Sequence, residues 1–181
     1  IVTTAIGAAN DYAQSVIQQA DGKLVVAGYS WNGSNHDVAL VRYNTDGSLD
    51  TGFDGDGKVT TAIGGSDDVG YSVIQQADGK LVVAGTSYNG SDDDFALVRY
   101  NADGSLDTSF DGDGKVTTEI SGSYNGALSV IQQADGKLVV AGTSYNGSSY
   151  DFALVRYNAD GSLDASFDGD GIVTTAIGAA N

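Results

Sequence analysis

Apolar positions along this chain fall in runs of four to eight, separated by Gly, Asp and Asn. The i, i+3, i+4, i+7 spacing of an amphipathic helix does not occur. The stretch from residue 58 to 114 shows the pattern best. Lys58 to Ile63 (KVTTAI) reads as a first strand and Tyr71 to Gln76 (YSVIQQ) as a second. Ala77-Asp78-Gly79 then predicts a tight hairpin turn, with Gly supplying a positive φ. Lys80 to Ser87 (KLVVAGTS) predicts the third strand. Asn89-Gly90 predicts a loop, and Asp94 to Tyr100 (DFALVRY) the fourth strand.

In the third and fourth strands both side-chain parities are apolar. Leu81 and Val83 alternate with Val82 and Ala84, and Phe95 and Leu97 with Ala96 and Val98. A sheet with one wet face would alternate apolar with polar. These strands therefore predict a sheet covered on both faces. An all-β fold of propeller blades, each a four-stranded antiparallel sheet, meets that demand. A stacked β-solenoid is the alternative, although its coils are usually shorter than this unit.

The pattern recurs with a period of 57 residues and no insertion or deletion. Residues 1–57, 58–114 and 115–171 read as three blade repeats. Residues 172–181 (IVTTAIGAAN) restate residues 1–10 and read as an overlapping first strand of a following repeat. Such units bury their apolar faces against neighbours. Three blades are too few for a ring, since propellers use about 4–8. The expected partner is therefore the chain itself. Two copies would form a six-bladed homo-oligomer, copies would join as a fibre by strand exchange, or the segment would belong to a longer array.

The three copies differ mainly in two windows. One follows the first strand (8–14, 65–71, 122–128). The other lies between the third and fourth strands, where Trp31, Asn35 and His36 become Tyr88, Asp92 and Asp93, then Tyr145, Ser149 and Tyr150. Both windows lie at one end of an antiparallel meander, so one rim varies and the other is uniform. Loops on a rigid scaffold carry function. Trp31, His36, Tyr88, Tyr124, Tyr145 and Tyr150 are the candidate ligand-binding residues, with side chains suited to a glycan or a cell-surface protein.

Charge narrows the partners. With 24 acidic and 8 basic residues the net charge is −16, which argues against nucleic acid and anionic membranes. No stretch has the length of a membrane span. Cys is absent, so there is neither a disulfide framework nor a thiolate metal site. Met is also absent, which reads as a processed product or an excerpt.

Acidic residues cluster in each repeat: Asp50, Asp54 and Asp56, then Asp107, Asp111 and Asp113, then Asp164, Asp168 and Asp170. Carboxylates interleaved with Gly suit Ca²⁺, which takes six to eight oxygens. The expected fold requires no cofactor, and calcium is the one this pattern allows. Asp-Gly pairs equally make turns. Arg42, Arg99 and Arg156 recur at one place, as do Asp37, Asp94 and Asp151, and read as ties within or between blades. Lys23, Lys80 and Lys137 read as solvent-facing. No catalytic residues are assigned: the single His occurs in one repeat, and no nucleophile or phosphate-binding motif is present.

The words Leu97-Val98-Arg99-Tyr100-Asn101-Ala102-Asp103-Gly104-Ser105-Leu106-Asp107-Thr108-Ser109-Phe110, with Asp78-Gly79-Lys80-Leu81-Val82-Val83-Ala84-Gly85 upstream, resemble the delta-60 repeat of large bacterial proteins. The likeness spans all three units. It implies a β-propeller in a secreted or cell-surface bacterial setting and no shared activity. The expected function is a non-enzymatic repeat protein with a structural, adhesive or self-assembling role. The alternative is a lectin-like propeller that binds carbohydrate or protein through the variable loops.

Overall fold

The structure is a computed structural model that describes residues 1–7 and 9–177. Ala8 and residues 178–181 lie outside the described residues, and with them the end of the ten-residue restatement. Twelve strands run β1 (Asp11–Gln18), β2 (Leu24–Trp31), β3 (His36–Tyr43), β4 (Lys58–Thr61), β5 (Asp68–Gln75), β6 (Leu81–Tyr88), β7 (Asp93–Tyr100), β8 (Lys115–Thr118), β9 (Asn125–Gln132), β10 (Leu138–Tyr145), β11 (Tyr150–Tyr157) and β12 (Ile172–Thr175). They form three antiparallel sheets in the orders β1-β2-β3-β4, β5-β6-β7-β8 and β9-β10-β11-β12. The all-β, blade-type fold expected from the double-sided apolar pattern is present, and the three sheets do not close.

The phase of the sheets differs from the phase of the repeats. Lys58–Thr61, read above as the first strand of its unit, pairs with β3 of the preceding one: Leu40 faces Val59, and Ala39 faces Thr60. Each sheet thus takes its outer strand from the following repeat, and Ile172–Thr175 completes the third sheet in this way. A 57-residue period is unchanged by such a shift, so the repeat alone does not set where a sheet begins.

The sheets stack face to face. One face of the middle sheet packs Leu81, Val83, Val98 and Tyr100 against Val25, Ala27, Val38 and Leu40 of the first. Its other face packs Val82, Ala84, Phe95 and Leu97 against Leu138, Val140, Ala153 and Val155 of the third. Burial on both faces explains why β6 and β7 carry no polar stripe.

Each innermost strand carries a bulge, one residue long, at Gln14, Tyr71 or Leu128. Opposite it lies Gly28, Gly85 or Gly142. A Cβ at these glycines would come within 1.8–1.9 Å of a carbonyl oxygen on the bulged strand. The repeated Ala-Gly of the sequence is thus dictated by a close approach of two backbones.

Candidate functional site

The uniform end is built around an Arg–Asp pair in each sheet, buried in the first two sheets and part-buried in the third. Arg99 donates through Nε to Asp107 at 2.6 Å, and Lys80 donates to the same carboxylate at 2.9 Å. The Arg99 guanidinium also lies over the Phe110 ring, 4.4 Å from its centre, and reaches the carbonyl of Ala159 beyond its own sheet. Arg42 repeats this with Asp50, Lys23, Phe53 and the carbonyl of Ala102. Beside these two ties a backbone bond also crosses: Asp54 N–H to Asp103 carbonyl at 2.7 Å, and Asp111 N–H to Asp160 carbonyl at 2.8 Å.

This arrangement places the nine candidate calcium residues. Asp50, Asp107 and Asp164 are engaged by Arg and Lys. The Lys23 hydrogen bond, followed by the Gly52 N–H and Arg42, holds the Asp50 carboxyl down at about 2. Burial opposes the same shift at Asp107, where Ser109 and Lys80 outweigh it. Lys137 and Ser166 lower Asp164. Asp54, Asp111 and Asp168 sit in left-handed turns, with φ of 48°, 50° and 52°. Asp56, Asp113 and Asp170 accept the N–H of the residue that opens the next strand, at 2.9 Å. Among the described residues no group of three or more His or acidic side chains converges as metal ligands would. The lysines expected to face solvent belong to the ties instead. The hairpin turn at 19–23 delivers Lys23 onto the carboxylate of a connection 27 residues later, a contact that strand periodicity does not reveal.

The variable end brings five of the six candidate ligand residues together in two groups and places Tyr88 apart from both. In the first sheet, Trp31 and His36 ring centres lie 5.1 Å apart. Tyr29 stands 5.2 Å from His36, and Tyr12 stacks on Tyr29 at 4.8 Å. Tyr88 lines a recess of about 430 Å³ with the 63–66 loop, Asn89 and Asp94. Tyr150 lies 5.1 Å from Tyr145 and 5.8 Å from Tyr124. The two variable windows do meet: the His36 N–H donates to Asp67 at 2.7 Å, the His36 ring lies 3.1 Å from the same oxygen, and Asn35 donates to the Gly65 carbonyl.

The His36–Asp67 pair bridges the first sheet and the loop that opens the second. The positions one repeat later are Asp93 and Tyr124. Burial raises Asp93, and the nearby Asp67 and Asp92 raise it further. Burial likewise raises the Tyr124 hydroxyl, with Tyr71 and Asp93 adding to the effect. One geometric position thus presents His with a carboxylate at one junction and a carboxyl with a phenol at the next. Asp67 and Tyr29 are the members that strand-by-strand reading missed. Asp67 lies in the first variable window, and matching the two windows across the sheet boundary is the signal that finds it. Beneath the rim, Asp68 is fully buried, accepting from the Ile63 and Gly64 N–H groups, and burial raises its pKa. One carboxylate oxygen each of Asp37 and Asp94 is buried without a partner among the described residues.

The variable rim presents aromatic faces and carboxylates, on a frame tied at its opposite end by ion pairs. No curated protein and no solved structure matches the chain. Residues 19–53, 76–110 and 133–167 match the family described as a domain of unknown function (DUF5122) beta-propeller. Each match takes in a hairpin turn, the two central strands and the connection with its Arg–Asp tie, and leaves out the inner and outer strands. With three matched segments covering more than half its length, the chain belongs to the DUF5122 beta-propeller family.

Proposed function

We propose that this chain is a non-enzymatic structural repeat protein that assembles with copies of itself, in a secreted or cell-surface bacterial setting. The observation that carries the reading is a mismatch between equivalent side chains. Phe95 is fully buried, whereas Phe152, one repeat later, is 62% exposed. Leu128, Leu154 and Ile131 are exposed around it, and Val16 and Leu24 are exposed on the opposite end sheet. Clustered exposed apolar side chains of this kind mark contact sites. The resemblance to delta-60 repeats supports the bacterial surface setting, and the engagement of repeated carboxylates in ties supports a non-catalytic role. Sedimentation of the 181-residue chain tests the reading: a particle heavier than the 18.4 kDa chain is expected, and a single-chain mass at all concentrations overturns it.

A second reading, lectin-like binding of carbohydrate or protein, is favoured by one observation. The residues that vary between repeats are those that form the aromatic groups around His36 and Tyr150. Ring faces beside acidic side chains suit sugar hydroxyls and apolar sugar faces.

A further inference from the structure

The two end sheets carry the two halves of a junction that the chain already makes twice. Between the second and third sheets, Arg99 donates to the Ala159 carbonyl, Asp111 N–H to the Asp160 carbonyl, and Tyr157 pairs with Thr118 at 2.7 Å. The Phe110 ring lies against Gly161. Between the first and second sheets, Arg42, Asp54, Tyr100 with Thr61, and Phe53 with Gly104 do the same. At the free face of the third sheet the donor half recurs: Arg156 bonds Asp164 and Ser166, but among the described residues it has no carbonyl acceptor beyond its own sheet. Phe167, equivalent to the fully buried Phe53 and Phe110, is only half-buried. The acceptor half recurs on the free face of the first sheet, as Tyr43, Thr45, Asp46 and Gly47.

Residues 1–7 occupy that acceptor half. Thr4 takes the Tyr43 hydroxyl at 2.8 Å, as Thr61 takes that of Tyr100. Ile6 N–H bonds Asp11 as Ile63 N–H bonds Asp68. The Val2 side chain lies beside Gly47, where an internal junction has a phenylalanine ring. Residues 1–4 are identical to the outer strand Ile172–Thr175, yet among the described residues they pair with no strand.

We propose that residues 1–7 are a placeholder, displaced when a second copy docks the free face of its third sheet on this first sheet. The proposal rests on the self-assembly reading above. In the docked state Thr175 of the incoming copy bonds Tyr43, and Arg156 and the Asp168 N–H of that copy reach the Thr45 and Asp46 carbonyls. Phe167 covers Gly47, and Phe152 and Leu154 meet Val26 and Val41. β12 keeps its place because a backbone ladder to β11 holds it and it emerges directly from Gly171, which is bonded to Arg156 and Phe167. Residues 1–7 give way because only a few side-chain and capping bonds hold them and Ile1 and Val2 are exposed. Reciprocal docking of two copies closes a ring of six sheets, within the usual range of about 4–8.

Sedimentation equilibrium of the full chain and three variants tests this. Thr4→Val loosens only the undocked state, so association is expected to tighten about fivefold per junction, the value of one hydrogen bond. Thr175→Val loosens only the docked state and is expected to weaken association by about the same factor. Phe152→Glu, at an exposed position, is expected to leave the fold intact by circular dichroism and abolish association. A particle of twice 18.4 kDa with these three responses supports the proposal. A single-chain mass throughout overturns the assembly reading itself. A dimer indifferent to Thr4→Val and Thr175→Val overturns the placeholder alone, since residues 1–4 would then keep Tyr43 in both states and add to the partner's third sheet. A ladder of higher masses overturns the closed ring.

Discussion

Gly85 and the Val69 carbonyl share a space too small for any side chain: a Cβ on Gly85 would lie 1.8 Å from that oxygen. The contact exists because β5 bulges at Tyr71 and pushes its backbone towards β6. Gly85→Ala is expected to separate the strands or undo the bulge and to cost about 3 kcal/mol or more of stability in urea unfolding, among the larger single-residue effects. Gly90→Ala offers a control, since a Cβ there meets nothing within 4 Å. Its positive φ of 104° still costs something, and a loss comparable to that at Gly85 would remove the bulge as the explanation.

The Arg–Asp ties differ in depth. Arg99 and Asp107 are both buried, and Arg99 also serves the Ala159 carbonyl, whereas the Arg156 side chain is 19% exposed. Removing one partner of a buried pair strands the other and typically costs about 3–5 kcal/mol. Arg99→Ala is expected at about 3 kcal/mol and Arg156→Ala at clearly less, measured by denaturant unfolding of single chains at low concentration. Equal losses at the two positions would contradict the role given to burial.

Acid sensitivity follows from the same carboxylates. The folded pKa of Asp50, about 2, lies below its ordinary 3.8. The stability it contributes is therefore complete above about pH 4 and is lost as pH falls through about 2. Asp107 and Asp164 shift in the same direction. Asp68 works the other way: its raised pKa opposes the folded state near neutrality and relaxes as pH falls. The melting temperature is expected not to fall between pH 7 and about pH 4, where the relief at Asp68 acts, and to drop below that. Asp50→Asn should flatten that fall while lowering stability at pH 7; an unchanged acid limb would refute the assignment.

Metal removal should leave the fold alone. Asp50, Asp107 and Asp164 already face cationic side chains, and their neighbours in sequence are spent on turns and strand starts. Melting curves with excess Ca²⁺ and with chelator are expected to superimpose. A rise of several degrees with Ca²⁺ would show that the acidic connections gather around the ion after all.

The rim reading makes its own demand. If aromatic faces bind a glycan, Trp31→Ala or Tyr150→Ala should erase a signal on a glycan array without changing the melting curve. Retention of every signal in both variants would set these rings aside as loop packing.

Much of this was legible in the chain. The double-sided apolar runs gave the stacked sheets, and Asp-Gly and Asn-Gly gave the turns; Gly22, Gly79 and Gly136 take the expected positive φ. What stayed hidden depends on contacts between units. The outer strand could be assigned to either neighbouring sheet, because shifting a perfect repeat leaves it unchanged. Lys80 shows no amphipathic signal that would turn it inward, and only the fold brings it to Asp107. His36 and Asp67 stand 31 residues apart, in different repeats, so neither repeat contains the pair.

The outer strand borrowed from the next repeat also has a consequence for how such a protein can change length. Because Lys58–Thr61 and Lys115–Thr118 each finish one sheet on the way to the next, a cut anywhere in the unit, rejoined 57 residues away, restores every ladder and every tie. Recombination between copies can therefore add or delete whole blades without leaving an unpaired strand inside the chain. A deletion that takes Lys58–Thr61 without completing a full period leaves the β3 edge bare.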